Sequence, residues 1–270
     1  LAEALPSIPH LEELDLSSNR MTGISIGRAL NAIELTDTLF SINLSDNKLG
    51  KQGMKGLISF LSKTSCLETL ELERTRSGDA EAKLLCEGLC FNKTVTFLNV
   101  ANNDFGEKSG LYFARVLRRL PSTEDSCQCE DGSMRIVSSE CCLTNLDLSW
   151  NQIRKTGAAA MGKAFLYNDK LATLDLSYCA FGDEGTSVIM NSLRTNTSLT
   201  WLELDNNAIK GRGSMVAAYC LEQNLTLKYL QLWENPIGKS GGRSFLRSVS
   251  RSGDIREMQL DKCNFEIEED

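Results

Sequence analysis

Two sets of side chains in this sequence could do chemistry: a group of thiols, and a series of aromatic and acidic residues. Cys127, Cys129, Cys141 and Cys142 fall within sixteen residues of a polar stretch containing Ser and Asp. Four thiolates can hold zinc, but paired ligands usually stand two to four residues apart, and these are separated by one residue and by none. The spacing therefore predicts a surface loop over 121–142, with zinc binding or disulfide formation as lesser alternatives, and no metal site is assigned. Gly238-Lys239-Ser240 ends like a phosphate-binding loop, yet the glycine that motif needs five residues earlier is Trp233. The single histidine, His10, follows Pro9, and the sequence suggests no serine or cysteine to work with it. Carboxylates are plentiful, but an open row of them gives no reason for the displaced pKa values that a catalytic pair needs. The sequence thus predicts no enzyme, no catalytic residue and no cofactor.

The aromatic and acidic residues are positioned by a repeat. The frame L-x-x-L-x-L-x-x-N-x-L opens at Leu11, Leu39, Leu67, Val95, Leu143, Leu171, Leu199, Leu227 and Ile255. Every interval is 28 residues except that from Val95 to Leu143, which is 48. Self-similarity at a fixed period of this size means a solenoid, in which each unit packs only on its neighbours. In the repeat from Leu199, the spacing of Leu199, Leu202 and Leu204 predicts a short strand, with Leu202 and Leu204 inward and Glu203 outward. Asn207 stands where the chain must turn, and its amide can bond backbone groups that no strand partner satisfies. Ile209 closes the core, Gly211 and Gly213 admit a turn, and Met215, Val216, Tyr219, Cys220 and Leu221 form the apolar face of a helix.

Composition narrows the setting. No apolar run approaches the ~20 residues a membrane span needs. Of ten cysteines, Cys179 and Cys263 occupy the frame's asparagine position, and Cys86, Cys90 and Cys220 fall in helical stretches. Such buried reduced thiols suit an intracellular, cytoplasmic protein. Asn92, Asn196 and Asn224 begin glycosylation-like triplets but share one register before a strand, so they read as part of the repeat. Residues 1–5 read as the tail of a preceding repeat's helix, and 266–270 follow the ninth frame without a helix. Both ends read as cut from a longer protein.

The frame Leu171-Ala172-Thr173-Leu174-Asp175-Leu176-Ser177-Tyr178-Cys179, followed by Phe181-Gly182-Asp183-Glu184-Gly185, resembles the ribonuclease-inhibitor type of leucine-rich repeat. Thr75 in place of the third repeat's asparagine departs from the pattern, as does the long insertion. The resemblance implies an α/β horseshoe with a parallel concave sheet of about nine strands and helices on the convex side. Residues 1–270 would form one domain, with 121–142 inserted between the fourth and fifth repeats. It also implies protein binding, because the type recurs in ribonuclease inhibitors, NOD-like receptors and actin regulators. Two alternatives accompany it. One is an architectural subunit of a cytoskeletal or ciliary complex. The other is a small-GTPase regulator resembling Ran GTPase-activating proteins, with 266–270 opening an acidic tail but with no match for that family's functional arginine, since Arg74 is surrounded by acid.

With the leucines inward, the third, fifth, seventh and eighth positions of each frame are predicted to face the hollow. All three tryptophans, Trp150, Trp201 and Trp233, lie in these columns with Tyr178 and Tyr229, on the fifth to eighth repeats. Large aromatics without core duty are what a binding hot spot uses. The same columns hold twelve carboxylates against two cations, Arg74 and Lys262, so their charge is −10 where the whole chain carries −7. An acidic hollow favours a basic protein partner, with affinity falling as salt rises, and disfavours nucleic acid. The predicted contacts are Trp150, Tyr178, Trp201, Tyr229 and Trp233, with Asp147, Asp175, Glu203, Asp205 and Glu234 supplying charge.

Overall fold

The structure, a computed structural model, describes residues 10–33, 36–118, 141–251 and 254–264, with Leu5, Ile8 and the backbone of 126–128 and 134–136 besides. Strand and helix alternate through the first four repeats: β1 (Glu13–Asp15), α1 (Gly23–Ala32), β2 (Ser41–Asn43), α2 (Gly50–Leu61), β3 (Thr69–Glu71), α3 (Asp79–Phe91), β4 (Phe97–Asn99) and α4 (Glu107–Arg118). After β5 (Ser126–Gln128) and β6 (Met134–Ile136), alternation resumes with β7 (Asn145–Asp147), α5 (Arg154–Phe165), β8 (Thr173–Asp175), α6 (Gly182–Leu193), β9 (Trp201–Glu203), α7 (Gly211–Leu221), β10 (Tyr229–Gln231), α8 (Gly238–Val249) and β11 (Glu257–Gln259).

Nine strands form one parallel sheet in the order β1-β2-β3-β4-β7-β8-β9-β10-β11. Register follows the frame, so residues 28 apart are partners, as in Leu174↔Leu202 and Leu202↔Leu230. Across the insertion Leu98 pairs with Leu146, so the ladder is uninterrupted. Within the predicted surface loop over 121–142, β5 and β6 pair antiparallel. The side chains of Cys127 and Cys129 lie outside the described residues, so the four-thiol reading does too; Cys141 is buried and Cys142 partly so.

The core lies between sheet and helices. The middle residue of each strand from β2 to β10 in the parallel sheet is buried, and Phe60, Phe105, Phe113, Phe165, Phe181 and Phe245 fill the space behind. At α7 the structure corrects the sequence. Met215 and Tyr219 are exposed, and the small residues Ala217 and Ala218 are buried instead, because the helix turns Gly213, Ser214, Ala217, Ala218, Cys220 and Leu221 toward the core.

Two asparagine ladders close most of the coils. Asn207 is fully buried; its Nδ2 donates to the Leu176 carbonyl of the previous repeat (2.8 Å), and its Oδ1 accepts from Cys179 N (3.1 Å). Asn47, Asn103, Asn151 and Asn235 reach back in the same way. Where cysteine replaces asparagine, the thiol donates instead, Cys179 Sγ to Leu148 O at 3.2 Å and Cys263 Sγ to Leu232 O at 3.1 Å. At the helix ends Asn92, Asn168, Asn196 and Asn224 bond the preceding helix's last carbonyls. The glycosylation-like asparagines are therefore buried framework, as their shared register suggested.

Candidate interaction surface

The face of the sheet turned away from the helices carries the predicted contact residues, and the backbone decides how they are offered. Third and fifth positions begin and end each three-residue strand. Eighth positions sit in the following turn with left-handed backbone, including Trp150 (φ 56), Tyr178 (φ 58), Asn206 (φ 46), Glu234 (φ 57) and Lys262 (φ 54). That conformation costs a non-glycine residue about 1–2 kcal/mol. It is held by a ladder in which Trp150 N donates to Ser177 O, Tyr178 N to Asp205 O and Glu234 N to Asp261 O, at 2.8–3.0 Å. The turn sets the eighth residues side by side along a rim.

The aromatic residues form two separate stacks. On the rim, Trp150 and Tyr178 lie face to face, ring centroids 3.7 Å apart and planes 8° apart. At the other end of the strands, Trp201 stacks on Tyr229 at 4.5 Å and 28°. Third positions begin the strands and eighth positions lie in the turns that follow them, so the two stacks are separate. The sequence placed all five aromatics in one neighbourhood; the structure pairs four of them and leaves Trp233 apart, 42% exposed, with Lys262 Nζ 5.2 Å above its ring. Between the stacks runs the acidic row of Asp147, Asp175 and Glu203, on the matched strand ends of β7, β8 and β9.

Charge on this face is less uniform than the columns suggested. Asp205 is only 8% exposed. Its Oδ1 accepts from the Trp233 amide at 2.6 Å, so it holds the turn and presents no charge to a partner. Most of the seventh column follows suit: Ser45, Ala101, Ser149 and Ser177 are also buried, while Glu73 is half-buried. Here the chain bends inward after the strand, which period-two alternation does not anticipate. Glu234 is tied up as well. It accepts from Lys262 Nζ (2.7 Å), Tyr178 Oη (3.0 Å) and Asn206 Nδ2 (3.1 Å), and these bonds hold its carboxyl below the usual range. Lys262 and Asn206 are the partners that column reading missed; only their place in the eighth column signalled them.

The structure also corrects the expectation that an open acidic row leaves pKa values undisturbed. Burial, the adjoining Asp147 carboxylate and Glu203 raise Asp175 to about 7, although Ser177 opposes the shift by donating its backbone N–H. Burial, Glu203 and Glu234 raise Asp205 to about 6. At these values both groups are partly protonated at neutral pH. Burial pushes Cys179 up to about 12, and Cys220 and Cys263 up to about 11, so these thiols are un-ionised. Among the described residues no cluster of His, Cys, Asp and Glu is suited to a metal ion, and no helix is long and apolar enough to cross a membrane. Arg74 is held by Asp46, with Nε 2.8 Å from Oδ1 and Nη2 3.0 Å from Oδ2.

The family model described as "Leucine Rich repeat" matches residues 7–25, 140–162, 167–190 and 223–246, each falling on a strand–helix unit of the solenoid. The chain is a leucine-rich repeat solenoid, similar to ribonuclease inhibitors. The ribonuclease inhibitor of Sus scrofa is 30% identical over 166 residues, covering 56% of this chain and 35% of the inhibitor. The Tonsoku-like protein of Danio rerio is 29% identical over 171 residues, covering 55% of this chain and 12% of that protein. This leucine-rich repeat chain thus spans about a third or less of the length of these relatives. Among solved structures, the tropomodulin C-terminal domain of Caenorhabditis elegans covers 82% of this chain and is itself covered to 89%, at 11% identity and a TM-score of 0.34, a likeness too loose to bear on function. Leucine-rich repeats of this type act in protein–protein interaction, and the fold is typically a non-enzymatic binding module.

Proposed function

We propose that this leucine-rich repeat chain is an intracellular protein-interaction module. Its partner lies across the concave, strand side of repeats five to nine. The observation that carries this reading is the pair of aromatic stacks, Trp150 on Tyr178 and Trp201 on Tyr229, set at opposite ends of the strands with Asp147, Asp175 and Glu203 between them. Stacked rings with no core to fill offer rigid apolar area at little entropic cost. A carboxylate floor between them suits a basic segment of the partner, with guanidinium or ammonium groups over acids and ring faces. Trp201 Nε1 donates to Glu203 Oε1 at 2.7 Å, which fixes the indole's orientation before any partner arrives.

The test is affinity capture from native lysate with wild type and a Trp150→Ala, Trp201→Ala variant as baits, at low and moderate salt. Removing one anchor from each stack should weaken capture of a basic protein at least tenfold, corresponding to about 1.4 kcal/mol or more, with folding unchanged. Added salt should weaken the wild-type complex. Identical partners and affinities for both baits would move the contact elsewhere and favour a permanently assembled architectural subunit.

A further inference from the structure

The rim of the first four repeats has the opposite character to that of the last five. One position after the frame's asparagine, three consecutive repeats place Arg20, Lys48 and Arg76, and no later repeat has a cation there. Together with Arg74, these residues line a cleft of about 500 Å³ whose acids are Asp46 and Asp104. Arg74 already has its counter-charge in Asp46. Among the described residues, Arg20, Lys48 and Arg76 make neither an ion pair nor a side-chain hydrogen bond, which leaves three cations against the single acid Asp104. Adjacent strands in a sheet are ~4.8 Å apart, so residues at one frame position in three successive repeats lie within ~10 Å.

We infer that this rim cleft is a second binding site, for a compact, multiply charged phosphate anion. Every lining residue is polar or charged, so an apolar ligand gains nothing there, and with no aromatic ring a nucleobase has nothing to stack on. A long polyanion is disfavoured as well: leaving the cleft along the strands, it meets an inner row of acids, first Glu73 and then Asp15 and Glu71. A small anion with several charged oxygens engages all three unpaired cations at once and stays clear of that row. Guanidinium forks at both ends of the column match phosphate oxygens two at a time.

Isothermal titration calorimetry with inorganic pyrophosphate, at physiological ionic strength, tests the site. Saturable binding is expected. It should weaken at least tenfold in an Arg20→Gln, Arg76→Gln variant, less in Lys48→Gln, and not at all in Lys55→Ala, whose side chain belongs to the groove between α1 and α2. Urea unfolding of each variant checks that the fold persists, and Lys48→Gln keeps the test open if the double variant is destabilised. Absence of saturable binding, equal affinity in the cleft variants, or an equal loss in Lys55→Ala would overturn the assignment. Citrate binding as tightly as pyrophosphate would overturn the phosphate class.

Discussion

At the scale of single residues, the same frame position does different work in different repeats, and burial decides which. Asp175 and Asp205 illustrate it. Both are acids of strand-side columns, but Asp205 caps a backbone amide from inside the turn while Asp175 lies in a desolvated row beside Asp147. Asp175 has a linkage consequence. Its carboxyl, near 3.8 when unfolded, is raised to about 7 in the folded chain, so between those values the folded chain keeps a proton that the unfolded chain has lost. The resulting stability is complete below pH ~4 and is lost as pH rises through ~7. Asp175→Asn keeps the oxygen that accepts from Ser177 N and removes the charge. It should raise stability at pH 8 by about 1–2 kcal/mol, a figure discounted for partial solvent screening, and leave it nearly unchanged at pH 4. Urea titrations at the two pH values measure this; equal midpoints for wild type and variant at pH 8 would show that Asp175 ionises freely.

At the scale of elements, the helices are spaced by glycines rather than by large apolar side chains. A methyl carbon placed at Gly110 in α4 falls 2.5 Å from Gly157 Cα and 2.7 Å from Ile153 Cγ2, so α5 would have to move. Gly110→Ala should cost about 1–3 kcal/mol through overpacking. Gly27 in α1 is a matched control, because its nearest obstacle is Gln52 O at 4.0 Å. There alanine should be neutral or stabilise by up to about 1 kcal/mol through helix propensity. Equal urea midpoints for the two variants would refute the close-approach argument. At α7 the phase of the helix buries Ala217 and Ala218 with Cys220 and Leu221 and leaves Met215 and Tyr219 exposed.

At the scale of the whole molecule, the solenoid passes the insertion as though it were absent. Leu98 pairs with Leu146, Asn151 reaches back to Val100 O, and Asn168 reaches back to Leu117 O, each spanning the extra residues. Excising 121–140 restores the 28-residue interval and shortens a closing loop, which costs no native contact in the sheet and lowers closure entropy slightly. Thermal unfolding followed by circular dichroism should remain a single transition, with a midpoint unchanged or a little higher. Loss of cooperative unfolding would instead make the insertion part of the core. The charge pattern is also a molecule-scale property: the basic rim cleft lies on the first four repeats, and the aromatic stacks lie on the fifth to eighth.

Periodicity alone determined the strand count, the register, the inward leucines and the structural use of Asn92, Asn196 and Asn224, because in a solenoid every long-range contact is a neighbour contact at a fixed sequence offset. It also placed Trp150, Tyr178, Trp201 and Tyr229 on the strand side. Tertiary structure decided what depends on the path between strand and helix. The left-handed turn at the eighth position separates the aromatics into two stacks and buries Asp205. It also brings Lys262, Tyr178 and Asn206 onto Glu234, and gathers Arg20, Lys48 and Arg76 into one cleft. A column of letters records which residues are neighbours; only the bend of the backbone records which way they point and how much water reaches them.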